Sequence, residues 1–180
     1  MKAAVGDRRP AGQPYLYALA LGSNRPRSAT LTPPALLMAA ASALDEPPLR
    51  LVRLSPVIAS APVGPSLRRY ANAAALVETD LPPPALLTHL KRIERGFGRR
   101  GGRRWGTRVL DLDIILWSGG AWRERRLTVP HRAFATRAFV LVPLATITPL
   151  WRDAISGHSV RQHLARLRKA KPVDPPANAL

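Results

Sequence analysis

The stretch RRWGTRVLDLDIILW, residues 103 to 117, places two aspartates inside an apolar run. We predict a strand over 109–117, because the run is rich in Leu, Ile and Val. Successive side chains of a strand point to opposite faces, so Asp111 and Asp113 share one face, while Leu110, Leu112 and Ile114 take the other. The apolar neighbours indicate a central, mostly buried strand, in which unpaired carboxylates are costly.

Upstream of this strand, LPPPALLTHLKRIERGFGRRGG predicts a helix with prolines at its start, an apolar stripe and Gly98 near its end. YANAAALVET (70–79) and the alternating run at 49–60 predict two antiparallel strands, since the segment between them is too short for a crossover helix. YLYALALGSN (15–24) predicts a buried strand. A helix follows, with Thr32 as N-cap and Pro47 and Pro48 beyond its end.

Downstream, RRLTVPHRAF predicts a short extended segment, RAFVLVPLATI fits either a helix or a strand, and SVRQHLARLRKA predicts a helix. The order of elements is β-α-β-β-α-β followed by additional elements, which is the ferredoxin-like pattern. We therefore predict an α/β (α+β) fold: a ferredoxin-like core whose antiparallel sheet is flanked by helices.

The length of 180 residues predicts one domain, with a mobile lead-in at 1–14, the domain at 15–170 and a C-terminal tail at 171–180. The chain has no cysteine, no apolar run of membrane-spanning length and no apolar centre of a secretory signal near its start. We expect a soluble, cytoplasmic monomer with no membrane partner.

The formal net charge is +17, from 28 Lys and Arg against 11 Asp and Glu, and 24 of the 28 are Arg. One interpretation is a field that attracts nucleic acid or nucleotide phosphates, and the other is a biased composition that favours Arg, Ala and Pro throughout. The 19 prolines favour the second interpretation for much of the surplus. Charge alone therefore does not predict nucleic-acid binding.

Two carboxylates on one face raise each other's pKa unless positive charge lies between them. A divalent cation removes this conflict, and Mg²⁺ is commonly held by one or two carboxylates together with substrate phosphates. The adjacent glycine-rich loop offers guanidinium groups for phosphate oxygens, namely Arg99, Arg100, Arg103, Arg104 and Arg108. The alternatives are a solvated strand face and a charged loop without function. The phosphate-binding pattern G-x-x-x-x-G-K-[ST] is absent, so the chain is not a P-loop enzyme.

Five segments, in this order and spacing, resemble the hydroxymethyldihydropterin pyrophosphokinase family: LALGSN, YANAAALVET, RIERGFGRR, RRWGTRVLDLDIILW and LTVPHRAFATRAFVLVPLATITP. The resemblance extends over about 17–149. It implies transfer of pyrophosphate from ATP to the alcohol of a reduced pterin, 6-hydroxymethyl-7,8-dihydropterin, with release of AMP, as a step of folate biosynthesis. It also implies two Mg²⁺ ions.

The resemblance further implies roles for individual residues. Asp111 and Asp113 match the metal-binding pair, and Asp113 also matches the base for the alcohol proton. Arg99 matches a mobile-loop arginine that acts on the phosphates, and Arg108 matches one that, with Trp105, clamps nucleotide and pterin. The remaining ATP-binding positions are Glu94, Ile114, Arg126, Thr128, His131 and Arg137. The pterin positions are Ser60, Val63, Tyr70, Asn72, Trp105 and Phe139, with Tyr70 and Phe139 stacking on the ring and Asn72 reading its edge.

The chain departs from the family pattern at several positions. The segment SAPVG (60–64) stands where T-x-P-x-G is usual, so that Ser60 replaces the threonine and keeps its hydroxyl; Thr107 replaces a proline, and Lys91 stands where glutamine is common near the nucleotide. Arg132 follows His131 in place of an aromatic residue or proline, and the loop before Trp105 is a residue short. We expect these changes to affect affinity and loop kinetics more than chemistry.

Two other functions stay open from the sequence. A nucleic-acid-binding module would use the basic loop, but it predicts a strand with base-stacking aromatics of the K/R-G-F/Y-G/A-F-V-x-F/Y type, which the chain lacks. A degenerate relative would bind pterin or nucleotide without turnover, and only the departures support it. Nucleic acid is therefore not an expected partner.

Overall fold

The computed structural model describes residues 3–5, 12–28, 30–60, 70–98 and 109–169. It contains eight strands, four α-helices and a short 3-10 helix (Phe134–Thr136) in these ranges. The strands are β1 (Ala3–Val5), β2 (Tyr15–Ser23), β3 (Arg50–Leu54), β4 (Ile58–Ser60), β5 (Tyr70–Thr79), β6 (Asp111–Trp117), β7 (Ala121–Glu124) and β8 (Leu127–Val129). The helices are α1 (Pro33–Ala43), α2 (Pro83–Gly96), α3 (Ala138–Ile147) and α4 (Val160–Lys169).

The main sheet has the strand order β3-β5-β2-β6, and β4 also pairs with β5. All of these pairings are antiparallel. The succession β2-α1-β3-β5-α2-β6 is the βαββαβ unit, with its first strand between the third and the fourth. The predicted ferredoxin-like core with additional elements is therefore confirmed.

Helices cover both faces of the main sheet. On one face, leucines of α1 and α2 pack against inward side chains of β2, β5 and β6, including Leu112 and Ile114. On the other face, α3 and Val160 of α4 pack against Ala18, Ala74 and Ile115. The face with Asp111 and Asp113 is therefore the α3/α4 face, while Leu112 and Ile114 lie in the opposite core, as the alternation predicts.

Local sequence accounts for α2 and α3, which pack on opposite faces of the main sheet. α2 starts with consecutive prolines, which fix helical φ where no backbone donor is needed, and its chain turns away at Gly98 with φ +90°. α3 is apolar on all sides because it is buried between the sheet and α4. The segment RAFVLVPLATI, which fits either a helix or a strand, is thus a helix.

The run at 49–60 forms two short strands instead of one. Ser55 interrupts it: the Ser55 N–H donates to Ala74 O at 2.9 Å, and the Ala74 N–H donates to Ser55 Oγ at 2.9 Å. Pro56 has no N–H for the ladder. β3 and β4 therefore both pair with β5, on either side of this interruption.

A second, three-stranded sheet has the order β1-β7-β8. β7 and β8 form a hairpin, and β8 contacts β6 and α2, which brings the hairpin beside β6. β8 confirms the short extended segment predicted there, whereas β1 and β7 lie where the sequence analysis predicts no strand.

One expectation about the opening stretch is wrong. β6 is the outer strand of the main sheet, not a central one. Its apolar composition arises because helices cover both faces and because side chains of α2 and strand β8 lie along its outer edge. Among the described residues, no helix combines the length and the hydrophobicity that spanning a membrane requires.

Candidate active site

The cross-strand neighbours of Asp111 and Asp113 are small residues. In the antiparallel register, Asp111 lies opposite Gly22 of β2 and Asp113 lies opposite Ala20. On the other side of β2, Gly22 is paired with Asn72 of β5. Asn72 and Asp111 are therefore two strand spacings apart, about 10 Å between their Cα atoms, with only a glycine between them. Among the described residues, this register leaves open space above Gly22, bordered by an amide and by two carboxylates.

The negative charge of the two aspartates is only partly offset by the positive charge around them. Burial and the neighbouring charge of Asp111 raise the pKa of Asp113, and the charges of Lys91 and His131 only partly oppose this, with Glu94 adding to the rise. The ionised Asp113 is thus destabilised in the protein alone, as expected for like charges at short range. A cation between the two carboxylates relieves this repulsion.

The donor set fits Mg²⁺ shared with a phosphate substrate. In the described ranges, no group of three or more His, Asp and Glu side chains is arranged to hold a metal. Two aspartates on one strand leave most of the coordination shell to water and to substrate oxygens, which is how Mg²⁺ is usually bound. The arrangement therefore suits a metal that arrives with ATP.

His131 lies beside the aspartates on the segment between β8 and the 3-10 helix. The backbone N–H of His131 donates to Ile115 O at 3.0 Å, and the ring Nδ1 accepts from the backbone N–H of Ala133 at 3.2 Å. Burial lowers the pKa of His131; Asp113 and Asp111 oppose this and Arg137 adds to it. A neutral ring with Nδ1 as an acceptor carries its proton on Nε2, which makes His131 a hydrogen-bond donor at neutral pH.

Glu94 and Lys91 reach the same strand from α2. Glu94 is fully buried, and its Oε1 accepts from the Leu112 N–H at 2.8 Å. Lys91 Nζ contacts Glu94 Oε1 at 2.5 Å and donates to Leu112 O at 3.3 Å. Lys91 is absent from the predicted site residues, although its spacing of three residues from Glu94 places both on one helix face.

The predicted pterin residues in the described ranges lie at the end of β4, at the start of β5 and at the start of α3. Asn72 Nδ2 donates to Ser60 Oγ at 2.9 Å, and Ser60 is the register partner of Tyr70. Phe139 lies in the first turn of α3, with the Arg137 guanidinium 5.8 Å from its ring centroid. Neither Tyr70 nor Phe139 stacks on another aromatic side chain of the described residues.

The structure does not bring every predicted residue to this face. Ile114 is buried in the core on the opposite face, so only its backbone borders the site. Arg126 is exposed in the β7–β8 turn, and Thr128 lies on β8 opposite Arg123. Four predicted residues lie outside the described ranges: Val63, Arg99, Trp105 and Arg108.

Comparison with known proteins identifies a family and several relatives. The model of 7,8-dihydro-6-hydroxymethylpterin-pyrophosphokinase (HPPK) matches residues 18–149. A 2-amino-4-hydroxy-6-hydroxymethyldihydropteridine pyrophosphokinase of Methylorubrum extorquens is 39% identical over 150 residues, covering 83% of this chain and 91% of the relative. The enzyme of the same name from Haemophilus influenzae is 44% identical over 131 residues, covering 72% and 79%.

Solved structures support the fold. The crystal structure of Plasmodium falciparum HPPK-DHPS superposes with a TM-score of 0.66 at 13% identity and covers 86% of this chain. The match spans 41% of that longer chain, so this chain corresponds to less than half of it. The wild-type form with SDX-DHP gives a TM-score of 0.67 at 12% identity over 86% of this chain and 44% of that one. By the family match and the relatives' identity, this chain belongs to the 7,8-dihydro-6-hydroxymethylpterin-pyrophosphokinase family.

Proposed function

We propose that Asp111 and Asp113 form the centre of the active site and that the reaction requires Mg²⁺. The activity itself is that of the family: transfer of pyrophosphate to hydroxymethyldihydropterin in folate biosynthesis, with ATP as co-substrate. The observation that carries the proposal is the pair of carboxylates on one sheet face, with Asp113 held at a raised pKa and Asn72 two strands away.

Asp111 and Asp113 would hold two Mg²⁺ ions together with the ATP phosphates, and these ions would neutralise negative charge on the transferred group. The cations on the adjoining segments act on the same phosphates. Arg137 lies within electrostatic range of His131, which is itself within range of both aspartates. A guanidinium binds two phosphate oxygens at once, and the neutral His131 donates a further hydrogen bond through Nε2.

The pterin is assigned to the opposite end of the same open space. Asn72 offers an amide donor and acceptor for the ring edge, and its contact with Ser60 fixes the orientation of the amide. Tyr70 and Phe139 supply the stacking surfaces for the flat heterocycle. This arrangement directs the hydroxymethyl group towards the aspartates, where an in-line attack on the β-phosphorus can occur.

Asp113 is the group we assign to remove the hydroxymethyl proton. The raised pKa of Asp113 describes the protein without metal, and coordination to Mg²⁺ would lower it, so this role rests on the family resemblance. The remaining predicted roles are retained as part of the proposal. The catalytic arginines are Arg99 and Arg108. The other ATP contacts are Trp105, Ile114, Arg126 and Thr128, and the other pterin contacts are Val63 and Trp105. Glu94 is fully buried, so we assign it to the ATP site only through its contacts with Lys91 and Leu112.

Location, oligomeric state and domain limits also belong to the proposal. The absence of cysteine in the sequence fits a reducing compartment, so we propose a cytoplasmic protein. A monomer is proposed because the site is built from one chain. Light scattering after gel filtration tests the monomer, and limited proteolysis tests the predicted domain limits at residues 15 and 170.

The experiment for the main proposal is AMP formation from ATP and 6-hydroxymethyl-7,8-dihydropterin with Mg²⁺, with a reaction without pterin as background. Asp111→Asn and Asp113→Asn remove charge at almost constant volume, and Glu46→Gln does the same at an exposed carboxylate of the α1–β3 turn. We expect pterin-dependent AMP from the parent and from Glu46→Gln, and none from the two aspartate variants. Equal activity in all four proteins would refute the assignment, and a folded parent that binds ATP without forming AMP would indicate a degenerate relative.

A further inference from the structure

The peptide between the two aspartates belongs to the outer edge of the main sheet. β6 ends the strand order of the main sheet, so one of its edges has no strand of that sheet beside it. Leu112 is the residue between Asp111 and Asp113, and its side chain is fully buried in the α1/α2 core. Backbone groups at a buried sheet edge need hydrogen-bond partners from other elements. At Leu112 these partners are side chains of α2.

An ion pair on α2 binds both backbone groups of Leu112. Glu94 Oε1 accepts the Leu112 N–H at 2.8 Å, and Lys91 Nζ donates to Leu112 O at 3.3 Å. The two side chains are joined at 2.5 Å, between Nζ and Oε1. The N–H, the carbonyl and the ion pair therefore close a ring around one residue, which we call the Leu112 clamp (Lys91, Glu94 and the Leu112 backbone).

Burial makes the clamp depend on its lysine. The Glu94 side chain is 0% exposed and that of Lys91 is 34% exposed. A buried carboxylate is tolerated when hydrogen bonds and an opposite charge compensate it. Loss of the Lys91 ammonium would leave Glu94 as a third carboxylate close to Asp111 and Asp113, with one cation fewer to offset the three charges.

We propose that the Leu112 clamp holds Asp111 and Asp113 in the geometry that receives the metal and the ATP phosphates, which makes Lys91 a positioning residue for the reaction. The inference rests on the proposed function of the two aspartates. The buried Leu112 side chain anchors the strand from one side and the clamp anchors it from the edge. The flanking carboxylates then project from fixed points, and displacements of about 1 Å at such groups can cost about a hundredfold in rate.

Substitutions of Lys91 can separate the effect of its charge from the effect of its hydrogen bonds. Lys91→Gln keeps a donor for Leu112 O and for Glu94 but removes the charge, whereas Lys91→Met removes both at similar length. Arg92→Met is the matched control, because Arg92 is exposed on the next position of the same helix. Thermal melts establish that each variant is folded before the other measurements are compared.

The first measurement is amide hydrogen exchange at Leu112, followed by NMR without substrate or metal. We expect exchange about tenfold faster in Lys91→Met than in the parent, the effect of weakening one hydrogen bond to a charged group. Exchange at Leu112 should be unchanged in Arg92→Met, and β5 amides should be unchanged in every variant. An unchanged Leu112 amide in Lys91→Met would overturn the clamp.

The second measurement is the Mg²⁺ concentration that gives half-maximal AMP formation. In Lys91→Met we expect it to rise about tenfold at unchanged KM for the pterin, and in Lys91→Gln to return most of the way to the parent value. A fall in the Mg²⁺ requirement would overturn positioning, because loss of a repelling cation alone predicts tighter metal binding. An unchanged requirement despite faster exchange would overturn it as well. If the parent forms no AMP, the proposed function fails, and Leu112 exchange alone still decides whether the clamp exists.

Discussion

Two aspartates in this protein, one half-buried and one buried, differ in how their charge is satisfied. Asp113 lies on β6, where burial and Asp111 raise its pKa. Asp153 lies in the turn before α4, 4% exposed, and its pKa is lowered: burial raises it, but hydrogen bonds from Ser156, His163 and Ile155 outweigh burial. The same residue type is thus held in a destabilised ionised state at one place and in a stabilised one at the other.

The partners of Asp153 explain its stability. Oδ1 accepts the N–H groups of Ile155 at 2.8 Å and Ser156 at 2.7 Å. Oδ2 contacts His163 Nε2 at 2.6 Å and accepts the Ser156 hydroxyl. The serine and the aspartate both meet the same nitrogen of His163, so the group is not a catalytic triad, in which they must meet opposite nitrogens. It fastens the turn to α4.

The contrast separates a structural carboxylate from a functional one. A structural carboxylate is surrounded by donors that the fold supplies, and it stabilises the protein in its ionised form. A functional carboxylate keeps acceptor capacity for a partner that comes from outside, at a cost in stability. On this criterion the α3–α4 turn is part of the scaffold, and the β6 face is the site.

The largest effect expected is that of Asp113→Asn on catalysis. Loss of one metal-binding carboxylate should lower kcat/KM for AMP formation by at least about a thousandfold. The comparison also predicts that the variant without Mg²⁺ is more stable than the parent at pH 7, by on the order of 1 kcal/mol, because a buried repulsion is removed. Urea denaturation measures this difference.

The pH dependence of that stability difference has a defined sign. The pKa of Asp113 is raised in the folded protein, so its ionised form disfavours folding and its protonated form favours it. The free energy of unfolding of the parent should therefore rise relative to that of Asp113→Asn as the pH falls through the folded pKa of Asp113. A variant that is less stable than the parent at pH 7 would contradict the comparison.

Asp153→Asn should have the opposite effects. We expect a loss of about 2 kcal/mol of unfolding free energy at pH 7, since buried donors lose an ionised acceptor, while kcat stays within about twofold of the parent. The pKa of Asp153 is lowered from its ordinary value of 3.8, so its contribution is present above that value and is lost as the pH falls through the folded pKa. Below about pH 4, the melting temperature of the variant should therefore fall less with decreasing pH than that of the parent. Equal acid sensitivity of the two proteins would refute this role.

Much of the fold could be predicted because its elements follow local rules. β5 has the predicted limits 70–79, and α2 begins at the predicted prolines. The failures arise where tertiary contacts decide. β6 has the composition of a central strand because helices cover both faces, and composition does not distinguish a covered edge from a paired one. Ser55 divides the 49–60 run because it forms hydrogen bonds with Ala74, a residue that is distant in sequence.

The site was predictable in part for the same reason. The D-x-D spacing places two carboxylates on one face by strand geometry alone. The roles of Asn72 and Phe139 came only from resemblance, since nothing local distinguishes them from ordinary strand and helix residues. Lys91 was singled out only as a departure from the family pattern, because its contact with Leu112 depends on the outer position of β6, which the sequence does not indicate. Its spacing to Glu94 is also typical of ordinary surface ion pairs.

Asn72→Ala tests the pterin end of the open space. We expect KM for the pterin to rise about tenfold or more, because two hydrogen bonds to the ring edge are lost, with KM for ATP unchanged. Ser60→Ala removes the acceptor of the Asn72 amide and should give a smaller rise, about threefold. An equal rise in both KM values would mean that the substitution disturbs the sheet instead of the pterin contact.

The smallest effect, from Gly22→Ala, tests whether the space between Asn72 and Asp111 is as open as the register implies. A Cβ at Gly22 would lie 3.7 Å from Asn72 Oδ1, an ordinary contact, so the fold accommodates alanine. Alanine should add about 0.5 kcal/mol of stability, because glycine in a strand has the larger entropy cost, and kcat/KM should stay within about threefold of the parent. Gly22→Val extends further into the same space and should lower kcat/KM by more than tenfold while the protein stays folded. Full activity in Gly22→Val would mean that neither substrate lies above Gly22. The open site that contrasts with the Asp153 turn would then have to lie at another position along β6.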